Sequence, residues 1–207
     1  MRKLIFVLTL LGAVAAETAF AAVEAPPPGP IPHGQKNVRL ALAGTYTLDP
    51  NHAGVIARVS HLGFSRSVFR FDRVAAQLDW DPDAIAKSRL SATVDTGSIA
   101  TNVANFAADL AGPKYLNAPA FPKATFVSTA FRPTDATHGR IDGTFTLMGK
   151  SKAVTFDVSL VGAGLFFGRY VIGIHAETSI NPQDFGLPSV FDEPVELVID
   201  TEFNRPA

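Results

Sequence analysis

Ile141-Asp142-Gly143-Thr144-Phe145-Thr146-Leu147-Met148-Gly149-Lys150-Ser151-Lys152-Ala153-Val154-Thr155-Phe156-Asp157-Val158-Ser159-Leu160 decides the reading of this chain. Up to Leu147 the odd positions are apolar or glycine and the even ones polar. From Val154 onward the even positions are apolar and the odd ones polar. Successive side chains of a strand point to opposite faces, so a period of two with one apolar face describes a half-buried antiparallel strand. Gly149, between the two runs, supplies the positive φ or close approach that a tight turn asks for.

The same pattern recurs outward from this pair. Val195, Leu197, Ile199 and Phe203 form one apolar face, and Ile172, Ile174, Ala176 and Ile180 form another. Strands are expected at 44–50, 54–62, 67–81, 87–96, 123–132, 138–149, 151–163, 169–180 and 194–204, eight or nine in all, the first and last short or continuous with their partners. The run 67–81 changes phase: Phe69 and Phe71 are odd, whereas Val74, Ala76, Leu78 and Trp80 are even. Keeping one face buried across that change requires an inserted residue, so a β-bulge is expected near Asp72-Arg73. Residues 102–111 break the pattern. Val103, Phe106, Ala107 and Leu110 recur at helical spacing, with Asn102 placed as N-cap and Gly112-Pro113 as the stop. The expected fold is a single all-β domain, an antiparallel up-and-down β-barrel of about eight strands with one α-helix inserted after the fourth. Asp49 and Asp184 are expected to cap turns, and Gly63 and Gly186 to share the role of Gly149.

Composition narrows the function. The chain has 207 residues, no cysteine, 16 phenylalanines, 47% apolar residues and a net charge of −1. It can build a core, so global disorder is excluded. Absence of cysteine excludes disulfides, thiol catalysis and Cys-ligated zinc. Near-neutral charge without a Lys/Arg run excludes electrostatic capture of nucleic acid. At the N-terminus, Arg2 and Lys3 precede an apolar run over residues 4–16, and Ala19-Phe20-Ala21-Ala22 follows. That pattern predicts a signal peptide over residues 1–22 and export to the periplasm. The apolar run would extend about 20 Å as a helix, short of a bilayer core, so no stable membrane insertion of the mature chain is expected. Residues 23–43 carry Pro26, Pro27, Pro28, Pro30 and Pro32 and are read as a flexible segment, with the folded domain at 44–207.

Four blocks resemble the YceI-like family. They are Tyr46-Thr47-Leu48-Asp49-Pro50-Asn51-His52 with Val59-Ser60-His61-Leu62-Gly63-Phe64-Ser65; Phe121-Pro122-Lys123-Ala124-Thr125-Phe126-Val127-Ser128; the run from Gly143 to Thr155; and Ile180-Asn181-Pro182-Gln183-Asp184-Phe185-Gly186. They occur in the family's order and run from Gly44 to the end. The resemblance implies a lipocalin-like barrel in the periplasm that holds a polyisoprenoid or quinone-type lipid. One departure stands out. The family commonly carries Arg, Asp and His in the inserted helix. Here the matching stretch, Phe106-Ala107-Ala108-Asp109-Leu110-Ala111-Gly112-Pro113-Lys114-Tyr115-Leu116, is largely apolar, which implies a ligand that is less polar at its end or held only by its tail.

The expected ligand-binding residues are His61, Phe69, Phe71, Trp80, Phe106, Leu110, Phe126, Phe145 and Ile174. His61 shares the phase of Val55, Ala57 and Val59 and is expected to point inward. Small inward residues (Ala57, Ala76, Ala92, Gly143, Ala176) either leave a channel or taper a closed core. No catalytic residue is assigned, because Ser65 lies in no G-x-S-x-G elbow and beside His61 on one strand end. No metal site is assigned, because His52, His61, His138 and His175 lack metal-ligand spacing. The partner expected is an isoprenoid-type lipid, with no further cofactor. A solid-core interaction module and a small-amphiphile enzyme are the alternatives, and an open strand edge would suit a homodimer.

Overall fold

The structure, a computed structural model, describes residues 29–206. The signal-like segment 1–22 and Pro26 to Pro28 lie outside the described residues. The described residues form ten strands and one short α-helix: β1 (Gly44–His61), β2 (Ser65–Phe71), β3 (Val74–Trp80), β4 (Arg89–Asp95), β5 (Ile99–Ala100), α1 (Phe106–Ala111), β6 (Lys123–Pro133), β7 (His138–Leu147), β8 (Lys150–Phe166), β9 (Arg169–Ile180) and β10 (Val195–Pro206). All neighbours pair antiparallel, and β10 pairs back with β1 to close the sheet. The two halves of β1 pair with β3 and β2 respectively (Thr47 with Gln77, Val55 with Phe71). β2 and β3 therefore share one strand position, and the barrel has eight. Closure removes the open-sheet edge on which pairing with a second copy was expected to rest.

The phase change in 67–81 is real, but it is a break rather than a bulge. At Asp72-Arg73 the backbone leaves β1 and donates to a buried serine, from Asp72 N–H to the Ser98 carbonyl (3.2 Å) and from Arg73 N–H to Ser98 Oγ (3.0 Å). At this height β1 also departs from regular pairing. Its register with β10 shifts between Leu48 and Ala53, and residues 49–52 loop outward. Asp49 Oδ1 accepts the Asn51 N–H at 2.9 Å and holds the loop. The expected strands 44–50 and 54–62 are thus one strand with an excursion. Gly63, Gly149 and Gly186 all take positive φ. Asn181 rather than Asp184 caps the turn Pro182–Phe185.

The helix is shorter than its spacing predicts. It starts at Phe106, with Asn105 in the N-cap position at φ 62° and without a side-chain cap. Residues 102–105 are taken by a turn in which Thr101 Oγ1 accepts the Val103 N–H (3.2 Å), so Asn102 cannot serve as cap.

The packed chain begins earlier than Gly44. Gln35 exchanges backbone hydrogen bonds with Ala163 (2.9 and 2.8 Å). Gly34 meets Gly162 there, each closer to the other's backbone than a Cβ would comfortably allow. A single helical turn, Val38–Leu40, follows, and Ala41 is fully buried. The Ala41 carbonyl accepts Trp80 Nε1–H (3.2 Å), and the Leu42 carbonyl accepts the Tyr46 hydroxyl (2.7 Å). This strap packs on the end of the barrel formed by the start of β1 and the end of β3. Two apolar clusters fill the interior. The one nearer the strap contains Tyr46, Leu78, Phe131, Phe156, Ile172 and Phe203. The other, at the end that carries α1, contains Phe69, Ile99, Leu110, Leu147, Ile180 and Phe185.

Candidate ligand-binding site

The barrel encloses a cavity of about 190 Å³ in its α1 half. Its cause is legible in the register. Ala76 on β3 and Ala92 on β4 are directly paired, and both line the cavity. Ala57, Ala124 and Ala176 line it too. Two short side chains facing each other leave space that neighbouring Val, Leu and Phe do not fill. Gly143 works the other way. A Cβ there would collide with the ring of Phe126, so the glycine admits that ring, which packs edge-on against Phe156 at 5.1 Å.

Among the described residues lining the cavity, none is charged, and the polar ones are Thr96, Thr125, Thr201 and Tyr115. The Thr96 hydroxyl is already used, donating to the Phe121 carbonyl at 2.7 Å. Such an interior rewards apolar surface and penalises an ion, because a buried charge needs a partner and finds none.

Six of the expected residues line the cavity: Phe69, Phe71, Leu110, Phe126, Phe145 and Ile174. Three do not. His61 is exposed; it closes the β1–β2 pairing against Ser65, one step beyond the last inward residue, so strand phase no longer carries it into the barrel. Trp80 lies at the opposite end and lines a second, smaller cavity next to the strap. Phe106 stands behind the wall, packing on Phe69 (ring centroids 6.4 Å apart) and Tyr115 (6.3 Å). The interaction continues from Tyr115 to Phe191 at 5.7 Å. Tyr115, Leu116, Leu187 and Phe191 line the cavity from irregular segments, where no periodicity marks a side chain as inward. Their only signal is apolar bulk beside Gly112-Pro113 and Gly186.

The titratable groups lie elsewhere. His138 pairs with Asp135, and His175 with Asp200 (2.8 Å). Backbone N–H donation from Thr137, then the His138 side chain, lowers Asp135 to about 2. Asp49, His52 and Glu202 come together around the β1 excursion, with His52 Nδ1 3.0 Å from Asp49 and 3.8 Å from Glu202. The hydrogen bond to Asp49 raises the His52 pKa. This trio is an ion-pair cluster on the outer face of the barrel, opposite to the inward face on which the adjacent Leu48, Thr201 and Phe203 line the cavity. Ser65 is exposed beside His61, so the pair faces solvent rather than the cavity.

A closed eight-stranded antiparallel barrel around an apolar interior is a lipocalin-like architecture. The comparisons place it more narrowly: residues 46–203 match the YceI-like domain family, and the chain belongs to that family. A UPF0312 protein of Pseudomonas putida strain W619 is 32% identical over 167 residues, 78% of this chain and 87% of that protein. A UPF0312 protein of Pectobacterium carotovorum strain PC1 is 32% identical over 168 residues, with the same coverage. Among solved structures, Burkholderia cenocepacia BcnA shares the fold with a TM-score of 0.66 at 21% identity, covering 75% of this chain and 98% of that one. A polyisoprenoid binding domain from Saccharophagus degradans, implicated in plant cell wall breakdown, does so with a TM-score of 0.56 at 14% identity, covering 78% and 98%.

Proposed function

We propose that this protein is a binding or carrier protein, not an enzyme, that is exported to the periplasm and holds the apolar chain of an isoprenoid or quinone-like lipid in its barrel. The observation that carries this reading is the 190 Å³ cavity whose described lining has no charged side chain. Each methylene buried there is worth about 0.8 kcal/mol. Catalysis would need convergent titratable groups at the cavity. The solved polyisoprenoid binding domain with this fold supports the ligand class, and Arg2-Lys3 before an apolar run supports export.

Native mass spectrometry of the protein purified from its own periplasm, followed by organic extraction, tests the reading. A stoichiometric prenyl-type adduct on a chain lacking its first 21 or 22 residues is expected. A bare mass that stays unchanged after incubation with prenyl lipids would overturn the carrier function. Recovery of the uncleaved chain from the cytoplasm would overturn the location.

A further inference from the structure

The interior is two chambers in series. The second cavity, of about 90 Å³, lies at the strap end between Val38, Trp80, Ile85, Phe131 and the β6–β7 turn, around which Arg132, Asp135, His138 and Arg140 also line it. Five residues line both cavities: Leu90, Ile141, Val158, Ile174 and Phe203. They form a septum across the barrel, in which Phe203 and Ile141 are buried (2% and 5% exposed) and Leu90, Val158 and Ile174 are half-buried.

Resting on the carrier reading above, we infer that the septum makes this barrel a measure of chain length: it admits a neutral hydrocarbon end of up to two isoprene units, and Ile174 helps set the limit. The volumes carry the inference. A dry apolar cavity of roughly 150 Å³ takes up a benzene molecule. A chamber of 190 Å³ is therefore matched by about seven or eight carbons, between one and two isoprene units, at the roughly 25 Å³ per carbon that benzene takes in such a cavity. The strap-end chamber adds room for about one further unit on the same measure, and only if the septum opens. A long polyisoprenoid would insert its end and leave the remainder outside; a free short isoprenoid would be swallowed whole. Both present the same hydrocarbon end to the chamber.

The chain carries its own reporter, because Trp80 is the only tryptophan and lines only the strap-end cavity. The test is a titration of delipidated protein with prenol, geraniol, farnesol and geranylgeraniol, which carry one to four isoprene units. Each buried methylene multiplies affinity by about four, so a fully buried isoprene unit of five carbons is worth on the order of 10³-fold, and the part of a second unit that the chamber still admits on the order of 10²-fold. For the wild type, affinity should rise by on the order of 10²-fold from one unit to two and gain no more than about threefold from any further unit, with Trp80 emission unchanged throughout. If geranylgeraniol binds as tightly as geraniol, the chamber takes the end of a longer lipid. If it does not bind, the chamber takes free short chains; either result upholds the length limit.

In Ile174→Ala, three units should bind at least about tenfold more tightly than two, and farnesol should shift Trp80 emission. Val158→Ala provides the milder opening should Ile174→Ala fail to fold. A wild-type affinity that keeps climbing through three and four units, with a shift of Trp80 emission, would overturn the inference. Absence of binding by all four alcohols would instead remove the carrier function on which it rests.

Discussion

Replacing Ala92 by phenylalanine tests whether the interior is a working cavity or unfilled core. Ala92 faces Ala76 across the β3–β4 pairing, and both line the 190 Å³ space. A benzyl ring introduced there occupies most of it, since a benzene-sized ring fills a cavity of roughly 150 Å³. An empty cavity costs about 24 cal/mol per Å³, so this one forgoes about 4–5 kcal/mol of stability. Recovering even half of that, against about 1 kcal/mol of rotamer strain, leaves a net gain of about 1 kcal/mol. In a solid core the same substitution would overpack and cost about 1–3 kcal/mol. The sign separates the two cases. Urea unfolding of ligand-free protein at unchanged m-value measures it, with the outward-facing Ala75→Phe on the neighbouring strand β3 as control. Prenyl-lipid binding should fall by at least about 100-fold, because the ring takes the volume the ligand needs. A variant that is destabilised by 1–3 kcal/mol and still binds lipid would refute the assignment of this space as the binding site.

Gly143→Ala should cost about 1–3 kcal/mol in urea unfolding, because the added methyl meets the Phe126 ring and that ring is pinned against Phe156. Ala41→Asp places an unpaired carboxylate at a fully buried strap position; the strap should detach, and Trp80, released from the Ala41 carbonyl, should shift its emission to the red. Asp135 should titrate at about 2 by carboxyl NMR. Its folded pKa lies below the unfolded value of about 3.9, so the stability it contributes is complete above about pH 4 and disappears as the pH falls through about 2. Asp49→Asn should lower the His52 pKa toward its ordinary value, because the hydrogen bond that the imidazole donates to Asp49 is the largest cause of the rise; imidazole NMR titration reads this directly.

The barrel was legible because a strand with one buried face writes its pleat into the sequence. Ile141 to Leu147 and Val154 to Leu160 place the β7–β8 hairpin and its turn, and the phase change after Phe71 marks the break that the structure shows. What escaped was set by contacts distant in sequence. The break at Asp72-Arg73 is held by Ser98, and the N-terminal strap by Trp80, Tyr46 and Ala163. A proline-rich prelude looks like a tether until Ala41 is found beneath a tryptophan. His61 failed for a simpler reason: strand phase says which face a residue takes, not whether the barrel still extends to cover it.

The cavity was less legible than the fold, and Gly143 and Ala92 show why. Both are small residues at inward positions, and the sequence treats them alike. In the barrel, Gly143 is covered by a phenylalanine ring and adds no space, whereas Ala92 faces another alanine and opens it. Volume inside a barrel is therefore a property of cross-strand pairs rather than of single residues. Counting phenylalanines cannot reveal it either, since Phe126 fills beside Gly143 while also forming cavity wall. The apolar replacement of the charged helix pattern is different in kind, because it changes chemistry rather than volume. With Phe106, Ala107 and Ala111 where charges were expected, and no charge among the described lining residues, affinity must come from the hydrocarbon. On the proposed carrier function, selectivity among hydrocarbons would then come from the length of the chamber.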